Sequence, residues 1–180
     1  MAKRVLIAAG GTGGHIFPAL ACAEEFVTRG WEVLFVGAGR DLERRTLASR
    51  YEYHVLPVSP LKGGSPLRKV KALAILLFSL RKALSLLRAL RPDLVLGVGG
   101  YISGPVVLAA ALLRVPRAIH EQNVVPGLAN RLSAPVASRI FVSFEESLKA
   151  FPRGKVVLTG NPVRKEVLKA RGLTRGRTFT

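Results

Sequence analysis

Residues 4–15 read Arg-Val-Leu-Ile-Ala-Ala-Gly-Gly-Thr-Gly-Gly-His, and this segment indicates the fold class of the chain. The apolar run Arg4–Ala9 predicts a buried β-strand, and the segment Ile16–Thr28 predicts an α-helix. Glycines let the backbone approach a ligand closely, and a helix N-terminus offers unpaired N–H groups to a phosphate. The segment therefore predicts the first βα unit of a Rossmann-like sheet, with a ligand site at its carboxyl edge. The alternative is a tight turn that binds nothing.

The same alternation of short apolar runs and helix-length segments continues along the chain. Further strands are predicted at Glu32–Val36, Tyr53–Leu56, Leu94–Gly97, Arg117–Ile119, Arg139–Val142 and Val156–Leu158. Further helices are predicted at Leu42–Ser49, Leu67–Leu90, Pro105–Leu113, Leu128–Leu132 and Glu145–Ala150. This order predicts an α/β fold, a doubly wound parallel sheet covered by helices on both faces. We expect residues 1–160 to form this domain.

The charge of the chain is strongly unbalanced, with 28 Lys and Arg residues against 11 Asp and Glu and a formal net charge of +17. A surplus of that size predicts an anionic partner: a nucleic acid, an anionic membrane or a phosphorylated substrate. The basic stretches show neither a helix-turn-helix pattern nor interleaved aromatic residues. We therefore expect no nucleic acid among the partners.

The cysteine count and the apolar runs predict where the protein works. A single cysteine, Cys22, excludes an internal disulfide and is typical of a reducing cytosol. The longest strongly apolar run, Ala72–Leu80, is about half of the roughly 20 residues that a membrane-spanning helix needs. We expect a cytosolic protein that can still lie on a membrane surface.

The glycine segment does not match the best-known nucleotide-binding templates. Gly11 and Gly13 fit the first two glycines of the dinucleotide fingerprint, but Ile16 takes the third position and no acid ends the second strand. A P-loop is excluded because no Gly-Lys-Ser/Thr follows. A second glycine loop, Gly97–Tyr101, follows the fourth strand at the same edge, and two such loops suit a diphosphate or a nucleotide sugar. Whether Tyr101 contacts a substrate or only packs stays open.

A third polar cluster, His120-Glu121-Gln122-Asn123, follows the fifth strand. Four consecutive polar residues after an apolar strand indicate a site or a buried hydrogen-bond network. Glu121 and Asn123 are the better candidates for binding sugar hydroxyls, and His120 is more typical of a structural histidine than of a catalyst. No His, Cys, Asp and Glu residues have metal-ligand spacing, so we predict no metal site.

Five motifs stand in order: GGTGGHIFP at 10–18, GVGGYISGP at 97–105, HEQN at 120–123, GLAN at 127–130 and GNPVR at 160–164. Together they resemble the MurG family, the bacterial N-acetylglucosaminyltransferases that complete lipid II in peptidoglycan synthesis. The resemblance runs from Arg4 to about Lys165. It implies the N-terminal half of a GT-B glycosyltransferase, in which two Rossmann-like domains face each other across a cleft.

The resemblance also implies a reaction and a set of partners. N-acetylglucosamine would pass from UDP-N-acetylglucosamine, with inversion, to the C4 hydroxyl of undecaprenyl-diphosphate-linked muramyl-pentapeptide. No cofactor is implied. The enzyme would lie peripherally on the cytoplasmic face of the inner membrane, against an anionic lipid surface.

Carried over residue by residue, the resemblance assigns roles within this chain. Donor contacts would be made by Thr12, Gly13, Gly14, Asn123 and Arg164, whereas Tyr101, Glu121 and Asn130 would line the cleft. The two glycine loops, which include Gly99 and Gly100, would hold the acceptor's diphosphate. His15 is a candidate general base, and its place just inside a helix N-terminus favours the neutral imidazole that a base requires. A purely structural role for His15 in that helix stays open.

The long helix Leu67–Leu90 carries a predicted membrane-facing side. Its helical spacing predicts that Leu73, Leu77, Leu80 and Leu84 face the sheet. The opposite face then carries Arg68, Lys71, Ile75, Phe78, Lys82 and Leu86. Apolar side chains beside cations are typical of a helix that lies in a membrane interface, although a further packed element would also account for them.

We expect residues 161–180 to form a linker and the start of a C-terminal donor-binding domain that this chain lacks. The chain alone is then expected to fold and to bind the acceptor without turning over. The alternative is a non-catalytic, acceptor- and membrane-binding subunit of a split glycosyltransferase that acts on another lipid-linked sugar.

Overall fold

The computed structural model describes residues 2–58, 66–164 and 167, although not the side chains of 66–69, 71 and 72. The predictions for the Arg68 and Lys71 side chains therefore fall outside the described residues. In the described part, seven strands form one parallel sheet: β1 Arg4–Ala8, β2 Glu32–Gly37, β3 Glu52–Val55, β4 Leu94–Gly97, β5 Arg117–Glu121, β6 Arg139–Val142 and β7 Val156–Leu158. The predicted doubly wound α/β fold is confirmed.

Helices connect these strands within the described ranges. They are α1 Gly13–Thr28, α2 Asp41–Glu43, α3 Pro66–Leu90, α4 Ser103–Leu112 and α5 Leu128–Ser133. Helix α2 continues into one π-helical turn, Arg44–Ala48, and a short 3₁₀ turn covers Glu145–Ala150. Among the described residues, no helix combines the length and the hydropathy needed to cross a membrane.

The strand order places one switch point in the middle of the sheet. The strands lie in the order β3-β2-β1-β4-β5-β6-β7, so the chain leaves β1 in one direction and resumes at β4 in the other. Ala8 of β1 lies beside Gly97 of β4. Both glycine loops therefore leave the sheet side by side, at the place where doubly wound sheets bind their ligands.

The core is divided by the sheet into two layers. Alternate residues of β1 point to opposite faces, and Val5 and Ile7 pack with α1 residues such as Ile16. Leu6 and Ala8 pack with the layer formed by α3, α4 and α5. Because both faces are covered, the strands are continuous apolar runs rather than alternating ones.

Helix α3 turns a different face to the core from the one predicted. Leu80 and Leu84 pack against the core as expected, whereas Leu73 and Leu77 are 55% and 57% exposed. The fully buried stripe includes Ser79 and Ala83, whose small side chains allow close packing. The prediction weighted only large apolar residues and so misplaced the face.

The outward face of α3 is corrected accordingly. Phe78 is 51% exposed and Lys82 is exposed, as predicted. Ile75, however, is only partly exposed and lines a groove, and Leu86 packs partly against the core. Neither belongs to the exposed apolar face.

Candidate functional site

A cleft of about 490 Å³ opens at the switch point between β1 and β4. Its lining consists of Gly10, Gly11, Thr12, His15, Arg40, Gly99, Gly100, Tyr101, Glu121, Gly127, Leu128, Ala129 and Asn130. Seven of the predicted site residues therefore share one cavity: Thr12, His15, Gly99, Gly100, Tyr101, Glu121 and Asn130. Four others, Gly13, Gly14, Asn123 and Arg164, lie outside this lining.

The two glycine loops touch each other. Gly100 has a φ of 75°, and a Cβ at this position would collide with the carbonyl oxygen of Gly10. The buried Ser103 hydroxyl binds both loops, because it accepts from the Gly99 N–H at 2.9 Å and lies 3.0 Å from the Ala8 carbonyl oxygen. The floor of the cleft is thus formed largely by the backbone of Gly10, Gly11, Gly99 and Gly100, with the His15 ring against Gly99.

Glu43 supports the first glycine loop from below. Its buried carboxylate accepts from the N–H groups of Gly11 at 2.9 Å and Gly39 at 2.8 Å, and from the Tyr53 hydroxyl at 2.7 Å. Burial alone would raise the pKa of this carboxyl, but the hydrogen bonds from Tyr53, Gly11, Arg40 and Gly39 outweigh burial and lower it. Glu43 is therefore held as a carboxylate.

The N-terminus of α1 lies within the first glycine loop. Helix α1 begins at Gly13, three residues earlier than predicted, and Thr12 precedes it with an extended backbone. The amides of Gly13 and Gly14 belong to the first turn, which has no intrahelical acceptors for them. His15 lies in the same turn and lines the cleft.

Glu121 organises the loop that follows β5. Its Oε1 accepts from the backbone and side-chain N–H groups of Asn123, both at 2.9 Å. Its Oε2 accepts from the Gly127 N–H and from Asn130 Nδ2, again at 2.9 Å. Both carboxylate oxygens are therefore engaged within the chain, which favours a positioning role for Glu121 over a direct hydroxyl contact.

Asn130 and Asn123 differ in what they leave for a ligand. Asn130 is buried, and its Oδ1 has no hydrogen-bond partner within the described ranges, so this acceptor is open to a ligand or water donor. Asn123 is exposed beside the cleft lining. Arg164 stacks on the Phe17 ring at 4.5 Å from its centroid, close to the start of α1.

The histidines of the site are joined through Gln122. His15 Nδ1 lies 3.1 Å from Gln122 Oε1, and Gln122 Nε2 lies 2.8 Å from His120 Nδ1. His120 is buried, and burial lowers its pKa, which favours the neutral imidazole. In the described residues, no three His, Cys, Asp or Glu side chains come together as metal ligands.

An apolar groove of about 170 Å³ continues from the cleft between α3, α4 and α5. Its lining includes Ile75 and Leu76 of α3, Leu108 of α4 and Leu132 of α5. Tyr101, Leu128 and Ala129 line both cavities, so the groove and the cleft share a wall.

Sequence reasoning did not single out Glu43, Arg40, Ser103 or Gln122. One signal could have found Glu43, since it stands four residues before the buried Leu47 and therefore on the inward side of its short helix. Gln122 belongs to the polar cluster that follows the fifth strand, but nothing in the sequence alone distinguishes it from its neighbours.

Comparison with known proteins gives one consistent result. Residues 5–142 match the family described as glycosyltransferase family 28 N-terminal domain. The chain is 51% identical over 168 residues to the UDP-N-acetylglucosamine–N-acetylmuramyl-(pentapeptide) pyrophosphoryl-undecaprenol N-acetylglucosamine transferase of Geotalea daltonii, covering 92% of this chain and 46% of that protein. The transferase of the same name from Desulfotalea psychrophila is 50% identical, with 98% and 50% covered.

Among solved structures, MurG of Acinetobacter baumannii superposes with a TM-score of 0.77 at 34% identity, covering 88% of this chain and 46% of that one. The chain thus spans about half the length of the curated relatives it matches.

Proposed function

Because this chain belongs to glycosyltransferase family 28 and forms the Rossmann-like N-terminal domain of a GT-B fold, we propose that it is the acceptor-binding half of a lipid-linked muramyl-pentapeptide N-acetylglucosaminyltransferase. The family and the fold class, both predicted from the sequence, are confirmed. The activity, the substrates and the membrane partner of the whole enzyme are proposals. The observation that carries them is the cleft between two glycine loops, with a histidine at its wall.

The proposed reaction joins two sugars. The C4 hydroxyl of the muramyl residue attacks the anomeric carbon of N-acetylglucosamine, the bond from that carbon to the UDP oxygen breaks, and UDP leaves. His15 takes the hydroxyl proton as the oxygen attacks. Histidine is the side chain that most often takes such a proton, and a positioned base of this kind contributes about 10²–10⁴-fold to the rate.

The acceptor's diphosphate is assigned to the glycine loops. Their backbone surface lies at the start of α1, where the first-turn amides of Gly13 and Gly14 and the positive end of the helix dipole favour an anion. Arg40 supplies a cation in the cleft lining. Because a Cβ at Gly11 would meet no atom within 4 Å, a diphosphate can approach the backbone of the first loop at this residue.

The lipid is assigned to the groove and to helix α3. The first isoprene units would leave the diphosphate past Tyr101 and Leu128, which line both cavities, and enter the apolar groove. The exposed face of α3 combines Leu77 and Phe78 with the cation Lys82, whose Nζ lies 5.6 Å from the Phe78 ring centroid. Such a face suits an anionic membrane interface.

The donor is assigned mainly to the domain that faces this one in a GT-B enzyme. Within this half, Thr12, Asn123 and Arg164 remain the proposed donor contacts, whereas the amides of Gly13 and Gly14, expected from the resemblance to contact the donor, are assigned here to the acceptor's diphosphate. Residues 161–180 remain the proposed link to the second domain. Of that link, residues 161–164 and 167 are described.

The test is a transfer assay on a two-domain polypeptide that includes this chain. His15→Ala should lower kcat by about 10²–10⁴-fold with little change in KM for either substrate, because a base acts in the transition state. His54→Ala, which alters a histidine bonded to Glu52 outside the cleft, is the matched control and should leave kcat unchanged. A folded His15→Ala variant with normal kcat would remove His15 from the mechanism.

A further inference from the structure

The Gln122 side-chain amide is held in one orientation. It is buried between two histidines, and its Nε2 donates to the carbonyl oxygens of Val98 at 3.0 Å and His120 at 3.2 Å. Carbonyl oxygens only accept hydrogen bonds. Exchanging the amide oxygen and nitrogen would set Gln122 Oε1 against both of them, so the nitrogen must face Val98 and the oxygen must face away.

This orientation determines where His15 carries its proton. Gln122 Oε1 is an acceptor and lies 3.1 Å from His15 Nδ1, so Nδ1 must donate. A neutral imidazole has one N–H, and its position is set by the hydrogen bond that the other ring nitrogen leaves free. His15 Nε2 is therefore unprotonated, and among the described residues it has no hydrogen-bond partner.

The second histidine fixes the other end of the chain of hydrogen bonds. His120 Nδ1 lies 2.8 Å from Gln122 Nε2, whose two N–H groups are shared among Nδ1 and the carbonyl oxygens of Val98 and His120. Because Nδ1 faces a donor, it must be the unprotonated, accepting nitrogen. The single N–H of neutral His120 is then on Nε2, which lies 3.3 Å from the Gly160 carbonyl oxygen and donates to it. Hydrogen bonds thus connect Gly160, His120, Gln122 and His15 in series. Each contact determines which atom donates in the next one.

The second glycine loop keeps the His15 imidazole within hydrogen-bond distance of Gln122. Gly99 has a φ of 98°, and a Cβ there would lie 2.6 Å from His15 Nδ1. The ring therefore packs directly on the loop backbone. A side chain at position 99 would push the ring away from Gln122 Oε1.

We propose that Gln122 is a positioning residue that holds His15 in its Nδ1–H tautomer, with the Nε2 lone pair available in the cleft to take the acceptor's proton. The value of this tautomer for catalysis rests on the proposed function, in which His15 is the base. The tautomer itself rests only on the hydrogen bonds. In water, neutral histidine carries its proton mainly on Nε2, which would leave a base without its outward lone pair.

The experiment is nitrogen-15 NMR of the histidine side chains, since the two ring nitrogens of each tautomer have well-separated shifts. The chain has only three histidines, and His15→Gln and His54→Gln variants assign them. At a pH where the imidazoles are neutral, we expect Nδ1–H for His15 and Nε2–H for His120. A wild-type spectrum with the His15 proton on Nε2 would overturn the proposal.

Two variants separate positioning from a merely structural role. Gln122→Leu removes the acceptor, so His15 should revert mainly to Nε2–H. Gln122→Glu keeps the acceptor toward His15 and adds a charge, although it also sets an oxygen against the carbonyls of Val98 and His120. In a Gln122→Glu variant that folds, His15 should retain Nδ1–H with a raised pKa. If neither variant folds, the wild-type tautomers of His15 and His120 still decide the matter, and an unchanged His15 pKa in a folded Gln122→Glu variant would contradict the contact.

Activity then distinguishes the two proposals. In the two-domain polypeptide, Gln122→Leu should lower kcat at least tenfold with KM unchanged, and Gln122→Glu should move the acid limb of the pH profile. If His15→Ala leaves kcat intact while the predicted tautomers are observed, the proposed base fails and the tautomer assignment stands. If His15→Ala lowers kcat as predicted but the predicted tautomers are not observed, only the role of Gln122 is overturned.

Discussion

Glu43 shows how a single buried carboxylate can hold a glycine loop in shape. It gathers the amides of Gly11 and Gly39 and the Tyr53 hydroxyl at one point below the cleft. A Cβ on Gly10 would lie 2.8 Å from Glu43 Oε1, so the loop rests directly on the carboxylate. Glu43 therefore accepts the Gly11 N–H on the buried side of the loop. The proposed ligand would bind on the side that faces the cleft.

We predict that Glu43→Gln destabilises the fold by about 1–3 kcal/mol, because an amide has one acceptor oxygen and leaves a buried donor without a partner. Tyr53→Phe is the milder control, since it removes one donor and keeps the carboxylate. Urea unfolding at neutral pH measures both. Equal stabilities of Glu43→Gln and the wild type would show that the loop does not depend on this contact.

The same residue gives a pH dependence. The pKa of Glu43 is lowered in the folded chain, so its contribution to stability is complete above the unfolded value of about 4.3 and is lost as the pH falls through the folded value. Glu43→Gln should therefore lose less stability than the wild type over that acidic range.

At the residue scale, the sequence identified which motifs form the candidate site. It did not show which of their side chains line the cleft and which position other residues. Glycines, His15 and Asn130 could be assigned to the cleft because strand ends of a parallel sheet share an edge. Gln122 and Glu43 could not, because their roles depend on which atoms meet across elements far apart in the chain. His15 and Gln122 are separated by 107 positions.

At the scale of elements, the strands and helices were predictable and the orientation of α3 was not. Apolar runs bounded by glycine or proline predict the strands of a buried sheet directly, and Arg139–Val142 has the predicted bounds. Helix α3 carries leucines around much of its surface, so periodicity alone could not choose the buried face. In the structure, the buried face is the stripe of small side chains around Ala83.

The corrected face of α3 leads to a prediction on membrane binding. Leu77→Glu with Phe78→Glu should weaken binding to anionic vesicles without unfolding the domain, because both side chains are more than half exposed. Each nearby cation adds about 1 kcal/mol at such a surface, so salt should weaken wild-type binding as well. Vesicle co-sedimentation measures the effect.

A matched control for the α3 variant is a double substitution on two other elements, helix α1 and strand β7. Val27 of α1 and Val157 of β7 are 52% and 43% exposed, and their replacement by Glu adds the same charge. That control should bind vesicles more strongly than the α3 variant. Equal binding by the two would show that net charge, and not the α3 face, governs the interaction.

At the scale of the whole molecule, the account depends on one arrangement: an anion site at the switch point, an apolar groove continuing from it, and an exposed apolar helix beyond. These three follow one another through Tyr101 and Leu128 to α3. The order matches that of a diphosphate, the first isoprene units of a prenyl chain and the membrane that would hold the rest of the lipid. The sequence predicted the first and the last of these, but the groove depends on helix packing.

The central claim, that the glycine loops hold the acceptor's diphosphate, is tested most directly by amide NMR on this chain. The ligand is a soluble, short-prenyl diphosphate-linked muramyl-pentapeptide, and the comparison is the corresponding monophosphate. We predict saturable shifts at Gly11–Gly14 and Gly99–Tyr101, with the monophosphate binding at least tenfold more weakly, about 1.4 kcal/mol. Saturable binding whose shifts fall outside both loops, or equal affinity for the two ligands, would contradict the account.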